Sequence, residues 1–202
     1  MSLWRDDQPL VLASRSVSRR AMLEAAGIPV EIFVPDLDER SVEAAAGSSS
    51  PAEVATLLAR EKAKAAAGLM PHRIVVAADQ TLALKGRRFD KPRDRIAAHE
   101  QLMTLAGKTH HLYSAVALAR DGQVLFDGID TANLTLRKLS GLFLDRYLDA
   151  AGDAVLGCVG AYQLETLGIH LFDRIDGDHF TILGLPLLKL LDFLRRIGSL
   201  AA

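Results

Sequence analysis

Short apolar runs of β-strand length recur along the sequence and are interspersed with stretches of helical length. The clearest of these strand-like runs lie at residues 10–13, 28–34, 74–78, 112–119 and 132–136. Strands and helices mix without the strict alternation of a barrel, which predicts a mixed α/β (α+β) fold, a twisted mixed sheet with helices on its faces. The 202 residues suffice for one sizeable domain or two closely joined lobes, and we expect a single domain over residues 1–202.

The overall charge and composition argue against a nucleic-acid or membrane partner. The formal net charge is -1, and the basic residues form no long stripe. No apolar run approaches the roughly 20 residues that cross a bilayer, and residues 1–9 lack the apolar core of a signal peptide. The single cysteine, Cys158, cannot form an intramolecular disulfide, which suits a reducing compartment. We therefore expect a cytoplasmic globular protein.

Local signals locate several helices and turns. Ser50, Pro51 and Glu53 form the pattern of a capping box, and an apolar stripe with Val54, Leu57, Leu58 and Ala65 follows, closed at Gly68. Lys85-Gly86 predicts a hairpin turn between two short strands. Further helices are expected at residues 94–106, from Ser140 to Ala151 and after Gly184-Leu185-Pro186.

The segment LASRSVSRR, residues 12–20, is the first candidate for chemistry. It lies where the first predicted strand leads into a helix, and a helix start offers unpaired N–H groups and the positive end of a dipole to a phosphate. The Ser14 hydroxyl and the Arg19 guanidinium would add charge-assisted hydrogen bonds. The alternative is an ordinary serine cap with solvated arginines.

Asp79 is the second candidate because it directly follows the apolar run 74–78. A carboxylate at the end of a buried strand stands where α/β proteins place ligands, and it could hold a divalent metal or activate water. The alternative is an aspartate that starts a turn. Gln80 beside it could hydrogen-bond a base or face solvent.

Lysines and a set of acidic residues complete the candidates. Lys62 and Lys91 could neutralise phosphates, although spacing alone does not favour them over Lys64 or Lys108. A polar loop carries three carboxylates, and a further glutamate lies much later in the chain; these residues are Asp36, Asp38, Glu39 and Glu165. They could bind a metal ion or the hydrogen-bonding edge of a base, or they could simply be solvated.

Other familiar catalytic signatures are absent from the sequence. There is no Walker-type phosphate loop, no GxSxG elbow and no CxxC pair. The six histidines show no metal-binding spacing, and His110-His111 are expected to alternate across a strand. Cys158 is expected to be a small buried residue rather than a nucleophile.

The order of the motifs resembles the Maf family of septum-formation Maf-like nucleotide pyrophosphatases. The segments that carry the resemblance are LASRSVSRR at residues 12–20, REKA at 60–63, ADQ at 78–80, DKP at 90–92, GAYQLE at 160–165 and GLP at 184–186. They span nearly the whole chain in family order, so their combination is more specific than any one of them.

This resemblance implies a Maf/Ham1-like fold with two lobes around a central cleft, and a homodimer. It implies cleavage of the bond between the α and β phosphates of a nucleoside triphosphate, giving monophosphate and pyrophosphate with Mg²⁺ or Mn²⁺. Carried over by position, the phosphate-binding residues are Ser14, Arg19, Lys62 and Lys91. Asp79 is the catalytic carboxylate, as metal ligand, as base or as both.

Departures from the family pattern bear on the substrate. Val17 stands where many members have proline, and Asp90 replaces a glycine. Ser18, Gln80 and Glu165 stand where members acting on dTTP and UTP often carry arginine, threonine and glutamine. The Gln80 and Glu165 pair is similar to the branch that prefers 7-methyl-GTP.

Hydrogen-bond chemistry supports a preference for 7-methyl-GTP or another modified nucleotide. The methylated guanine is cationic and its N1 and N2 positions donate, so the Glu165 carboxylate suits it better than the acceptor edge of a pyrimidine. The alternatives are a dTTP/UTP pyrophosphatase and, in another class, a nucleotide-binding regulator of cell division with little turnover.

Overall fold

The structure, a computed structural model, describes residues 2–47 and 50–201. Within these residues there are seven strands and seven α-helices, with two short 3-10 helices at Gly152–Gly157 and Leu167–Leu171. The strands are β1 Leu10–Leu12, β2 Val30–Ile32, β3 Val75–Leu84, β4 Arg87–Phe89, β5 Thr109–Arg120, β6 Gln123–Leu136 and β7 Phe172–Asp176. The helices are α1 Val17–Ala25, α2 Glu39–Ala46, α3 Pro51–Leu69, α4 Arg95–Leu105, α5 Gly141–Ala151, α6 His179–Ile182 and α7 Leu187–Arg196.

The strands form a mixed sheet in the order β2-β1-β3-β5-β6-β7, with β4 paired to β3 outside this path. β1 is parallel to both of its neighbours, with Val11 opposite Glu31 on one side and Val75 on the other. The β3–β4 and β6–β7 pairs are antiparallel. This arrangement confirms the predicted mixed α/β class.

The chain divides into two compact units. The first comprises the chain up to Asp79, Ser114–Asp130 and the chain from Gly184 onward; the second comprises Gln80–Tyr113 and Thr131–Leu183. The single domain over residues 1–202 and the central cleft stay predictions. Among the described residues, no helix combines the length and the apolar character that a bilayer crossing requires.

In the first unit, α3 begins as its sequence predicts. The Ser50 side chain accepts a hydrogen bond from the Glu53 backbone, and the Glu53 carboxylate accepts one from the Ser50 backbone 2.7 Å away. Leu57 and Ala65, expected in the buried stripe, are only partly buried, and the helix continues through Gly68. The buried face is instead rich in alanine, and its members are Val54, Ala55, Leu58, Ala59, Ala63, Ala66 and Ala67.

The second unit has its own hydrophobic core, to which β5, β6, α4 and α5 contribute residues such as Leu102, Leu112, Leu134 and Leu144. The predicted hairpin is confirmed, since Leu84 pairs with Arg87 across Lys85-Gly86. Both turn residues have positive φ, 51° and 80°, as the twist of a two-residue hairpin requires.

Two expectations about the first unit are wrong. The strand expected at residues 28–34 covers only Val30–Ile32. The acidic segment expected to be a loop starts α2, because the Asp38 side chain accepts hydrogen bonds from the backbone of Arg40 and Ser41. These bonds hold the pKa of Asp38 below its usual value, with those from Ser41 contributing most. No residue of α2 is buried, so the sequence lacks the apolar periodicity that would indicate a helix here.

Candidate active site

Lys62, on α3, lies between two carboxylates of the first unit. Its Nζ atom is 2.6 Å from Asp79 Oδ1 and 3.0 Å from Glu39 Oε2. The side chains of Lys62 and Asp79 are only 16% and 14% exposed, whereas that of Glu39 is 48% exposed. The long side chain of Lys62 therefore takes part in a partly buried ion pair.

Arg19, on α1, is fixed beside this ion pair by backbone carbonyls. Its Nε donates to Gly184 O at 2.8 Å, and its Nη1 donates to Ala78 O at 2.7 Å and to Ser14 Oγ at 3.2 Å. Burial lowers the pKa of Arg19, and the charges of Asp79 and Glu39 oppose this shift. An arginine stays protonated in a protein, so a positive charge is held here.

The segment between β1 and α1 has the form that the sequence predicts. Ser16 caps α1 by accepting a hydrogen bond from the Arg19 backbone, while Ser14 Oγ accepts one from the Ser16 backbone at 3.2 Å. The first N–H groups of a helix have no acceptor within that helix. The positive end of the α1 dipole and the Arg19 guanidinium both adjoin Ser14, since Ser14 Oγ accepts from the Ser16 backbone and from Arg19, and this arrangement suits a phosphate.

Asp79 does not end a strand as expected, because β3 continues to Leu84. Only the parallel pairing with β1 stops before it: Leu12 is opposite Val76, and the Ala13 backbone donates to Val76 O at 2.8 Å. Asp79 thus lies just beyond the carboxyl end of β1, at the edge where α/β sheets bind ligands. The expected strand end at Asp79 is therefore wrong, and its role as a ligand-binding residue stays a prediction.

The surroundings of Asp79 change its acidity. Burial raises the pKa of the Asp79 carboxyl above its usual value; Lys62 and Arg19 oppose this, and Glu39 raises it further. A carboxylate with a raised pKa is a better proton acceptor than one in water. The geometry therefore places a carboxylate next to two cations.

The donor set of this cluster fits a hard divalent cation. No group of three or more His, Cys, Asp and Glu side chains suited to a metal occurs in the described part of the chain. Asp79 and Glu39 together offer two carboxylates. Mg²⁺ commonly binds one or two carboxylates and completes its shell with water and phosphates, so one of these carboxylates alone would suffice for an ion that arrives with a phosphate ligand.

Gln80, in the second unit, holds the end of α6. Its Nε2 atom donates to Thr181 O at 3.1 Å and to Ile182 O at 3.0 Å. The amide orientation is therefore fixed by backbone carbonyls. Its contact with a base stays a prediction.

Lys91 and Glu165 belong to the second unit, and both are exposed. They share the electrostatic environment of the half-buried Cys158: burial raises the pKa of its thiol, Glu165 raises it further, and Lys91 opposes this. The charges of these two predicted site residues therefore both act on this one thiol. Their contacts with phosphate and base stay predictions.

The structure brings four predicted site residues together in the first unit: Ser14, Arg19, Lys62 and Asp79. It adds Glu39, which the sequence marked only as part of an acidic group. The carbonyls of Ala78 and Gly184 also take part, since they hold Arg19. A backbone carbonyl leaves no signature in residue type, so these contacts could not be predicted.

Comparisons with known proteins identify the family that the chain is similar to. A family model described as "Maf-like protein" matches residues 9–197. The chain is 55% identical over 195 residues to a "Nucleoside triphosphate pyrophosphatase" from Bradyrhizobium diazoefficiens, covering 96% of each chain. It is 47% identical over 195 residues to a "7-methyl-GTP pyrophosphatase" from Rhizobium meliloti, covering 96% of this chain and 98% of the relative.

A solved structure of a HAM1 protein from Coxiella burnetii is a more distant match. It is 18% identical with a TM-score of 0.43, and the match covers 63% of this chain and 72% of that one.

Proposed function

The chain belongs to the Maf family, and we propose that it hydrolyses nucleoside triphosphates to monophosphate and pyrophosphate. The observation that carries the proposal is the position of Lys62 between Asp79 and Glu39, with Arg19 beside them. Two fixed cations can stabilise the charge that builds on a phosphate, and a carboxylate of raised pKa can accept a proton from the attacking water. The names of the bacterial relatives support the same activity.

Ser14, Arg19, Lys62 and the start of α1 are proposed to bind the phosphates. Arg19 is held in place before the nucleotide arrives, so little of its conformational freedom is lost on binding. Negative charge builds on the phosphate oxygens as water attacks, and the Arg19 and Lys62 cations stabilise it. Lys91 is proposed to add a third cation.

Asp79 is proposed to accept the proton of the attacking water. The water oxygen forms a bond to the α phosphorus, the bond from that phosphorus to the bridging oxygen breaks, and pyrophosphate leaves with the bonding electrons. The raised pKa of Asp79 favours this role. A bound Mg²⁺ or Mn²⁺ would neutralise phosphate charge.

Glu39 is the better carboxylate for that ion. The Lys62 ammonium lies between Glu39 and Asp79, so one ion bridging both carboxylates would have to displace it. Glu39 is also the more exposed of the two carboxylates. Separate roles, Asp79 as base and Glu39 as metal ligand, avoid that conflict.

The preferred base is proposed to be 7-methylguanine, with Glu165 as its acceptor. The carboxylate of Glu165 would accept hydrogen bonds from the N1 and N2 donors and would complement the positive charge of the methylated ring. The name of the Rhizobium meliloti relative supports this choice. A preference for dTTP or UTP is the alternative, and a nucleotide panel separates the two.

The test is pyrophosphate release by the purified protein with Mg²⁺ or Mn²⁺ and 7-methyl-GTP, GTP, dTTP, UTP or CTP. Asp79→Asn should abolish release from every nucleotide. The matched control is Asp127→Asn, which removes a carboxylate of the first unit that pairs with Arg60 at 2.8 Å, away from the cluster around Lys62. No release from any nucleotide by the unmodified protein would favour a binding regulator instead.

A further inference from the structure

The second unit contains a buried polar pair that the proposed chemistry does not use. His110, in β5, is fully buried, and its Nε2 atom lies 2.7 Å from Tyr162 Oη. The Tyr162 ring is 5% exposed and packs edge-on against Phe172, with ring centroids 4.9 Å apart. Tyr162 is thus held both by packing and by a hydrogen bond.

The backbone just before Tyr162 has an unusual conformation. Ala161 has a φ of 58°, which is uncommon for a residue other than glycine, and Gly160 has a φ of 85°. A Cβ atom on Gly160 would lie 2.6 Å from the Tyr162 ring. Such backbone persists only where its surroundings fix it, and it concentrates at functional sites.

Two further side chains fix this turn. Tyr147 Oη donates to Ala161 O at 3.2 Å, and Gln101 Oε1 accepts a hydrogen bond from the Gly160 backbone at 3.0 Å. Together with the His110–Tyr162 contact, these hydrogen bonds hold the consecutive residues 160–162. The side chains that make them come from three different elements, α4, α5 and β5.

The chain after Tyr162 is held as well. Gln163 O accepts hydrogen bonds from the backbone and the hydroxyl of Thr166, at 3.2 and 3.1 Å. A Cβ atom on Gly168 would overlap the Gln163 carbonyl, so Gly168 allows a close backbone approach. Glu165 therefore lies on a short turn that is fixed at both ends.

The His110–Tyr162 pair is costly for a core. Nδ1 of His110 is buried without a hydrogen-bond partner among the described residues. A buried polar atom without a partner costs stability, and an apolar side chain would avoid this cost. A pair of this kind is best explained by a requirement for position, since a hydrogen bond fixes a side chain more specifically than apolar packing does.

We propose that Tyr162, held by His110, is a positioning residue that sets the orientation of Glu165 and thereby the base preference of the enzyme. The proposal rests on the proposed function, in which Glu165 accepts hydrogen bonds from the base. Tyr162 itself needs no contact with the nucleotide. Its hydroxyl acts through the fixed turn at residues 160–168.

The test is Tyr162→Phe, which removes the hydroxyl and keeps the ring. We measure the ratio of kcat/KM for the best nucleotide to that for a nucleotide of the other base class. This ratio should fall roughly fivefold to tenfold, mainly through KM of the best nucleotide, because a lost hydrogen bond and a displaced carboxylate weaken base binding. Partial unfolding lowers the active fraction for both substrates equally, so it leaves the ratio unchanged.

Tyr113→Phe is the matched control. Tyr113 lies in the same unit, packs beside the His111 ring and is outside the turn. The kcat/KM ratio of the Tyr113→Phe variant should therefore equal that of the unmodified protein. Tyr147→Phe provides a second route, since it releases the Ala161 carbonyl from the other side of the turn and should lower the ratio in the same direction.

Glu165→Gln shows whether Tyr162 acts through Glu165. In that background, Tyr162→Phe should lower the ratio no further, because residues that act as a unit are not additive. An unchanged ratio in both Tyr162→Phe and Tyr147→Phe overturns the inference, and so does a full additional loss in the Glu165→Gln background. Absence of pyrophosphate release by the unmodified protein would instead overturn the proposed function on which the inference rests.

Discussion

Lys62 Nζ lies 2.6 Å from Asp79 Oδ1 and 3.0 Å from Glu39 Oε2. One ammonium thus serves two carboxylates that come from a strand and a helix, while the partly buried Arg19 stands beside them. A nucleotide that brings phosphates to Lys62 competes with these carboxylates for it. Binding of substrate and release of Asp79 as a base are therefore coupled in the proposed mechanism.

Replacing Lys62 should therefore affect both catalysis and its pH dependence. Lys62→Met should lower kcat/KM by about 100-fold or more, since a fixed cation that stabilises the transition state is lost. The matched control is Lys64→Met, because Lys64 lies on the same helix, is 44% exposed and pairs only with Glu61 among the residues described. Equal losses in both variants, measured as pyrophosphate release, would contradict the role of Lys62.

The acid side of the pH profile should report Asp79. A base must be unprotonated, so kcat/KM should fall as the pH drops through the pKa of Asp79, which burial raises above the usual carboxyl value. Lys62 opposes that rise, so Lys62→Met should move the acid limb to higher pH. If the acid limb of the kcat/KM profile keeps its position in the Lys62→Met variant, a group other than Asp79 governs that limb.

Arg19 should not tolerate replacement by lysine. Lysine cannot reproduce the hydrogen bonds that Arg19 makes through two different nitrogen atoms to Gly184 O and Ala78 O. Arg19→Lys should raise KM for nucleotides and lower the free energy of unfolding by about 1–3 kcal/mol, since buried carbonyls lose their donors. Arg20→Lys is the control, because Arg20 is 55% exposed and pairs with Glu24 on the surface. Denaturant unfolding and steady-state kinetics should separate the two variants.

His110 should make the protein less stable in acid. Burial lowers its pKa from 6.5 to about 4 in the folded protein. As the pH falls below 6.5, the unfolded chain takes up the proton first, so the free energy of unfolding should decrease down to about pH 4. The decrease from this group is about 3 kcal/mol.

Urea unfolding across this pH range tests the prediction. The His72→Gln variant, whose histidine is 91% exposed, should keep the full decrease. Replacing His110 by leucine should reduce it, although the missing partner of Tyr162 will lower stability at every pH. If the free energy of unfolding falls with pH at the same slope in the unmodified protein and in the His110→Leu variant, the acid sensitivity comes from other groups.

Much of the fold could be predicted because local rules decide it. The start of α3 follows from Ser50, Pro51 and Glu53, and the β3–β4 hairpin follows from Lys85-Gly86. Helix α2 could not be predicted, since nothing in it is buried. Where burial leaves no pattern, a cap such as Asp38 looks the same as a residue in a polar loop.

The site could be predicted only in part, because its contacts join distant segments. Spacing did not separate Lys62 from Lys64; the structure does, since only Lys62 reaches Asp79. The role of Glu39 and the carbonyls that hold Arg19 depend on packing between α1, α2 and β3. The homodimer and the cytoplasmic location have no counterpart in a single chain and stay predictions.

The most direct test of the proposed function is hydrolysis of 7-methyl-GTP in water enriched in oxygen-18, followed by phosphorus NMR of the products. Attack at the α phosphorus predicts monophosphate and pyrophosphate as the products, with the heavy oxygen in the monophosphate and no product from Asp79→Asn. Heavy oxygen in the pyrophosphate would contradict the proposed reaction. Release of a nucleoside diphosphate and inorganic phosphate would contradict it as well. Undiminished turnover by Asp79→Asn would contradict the role of Asp79.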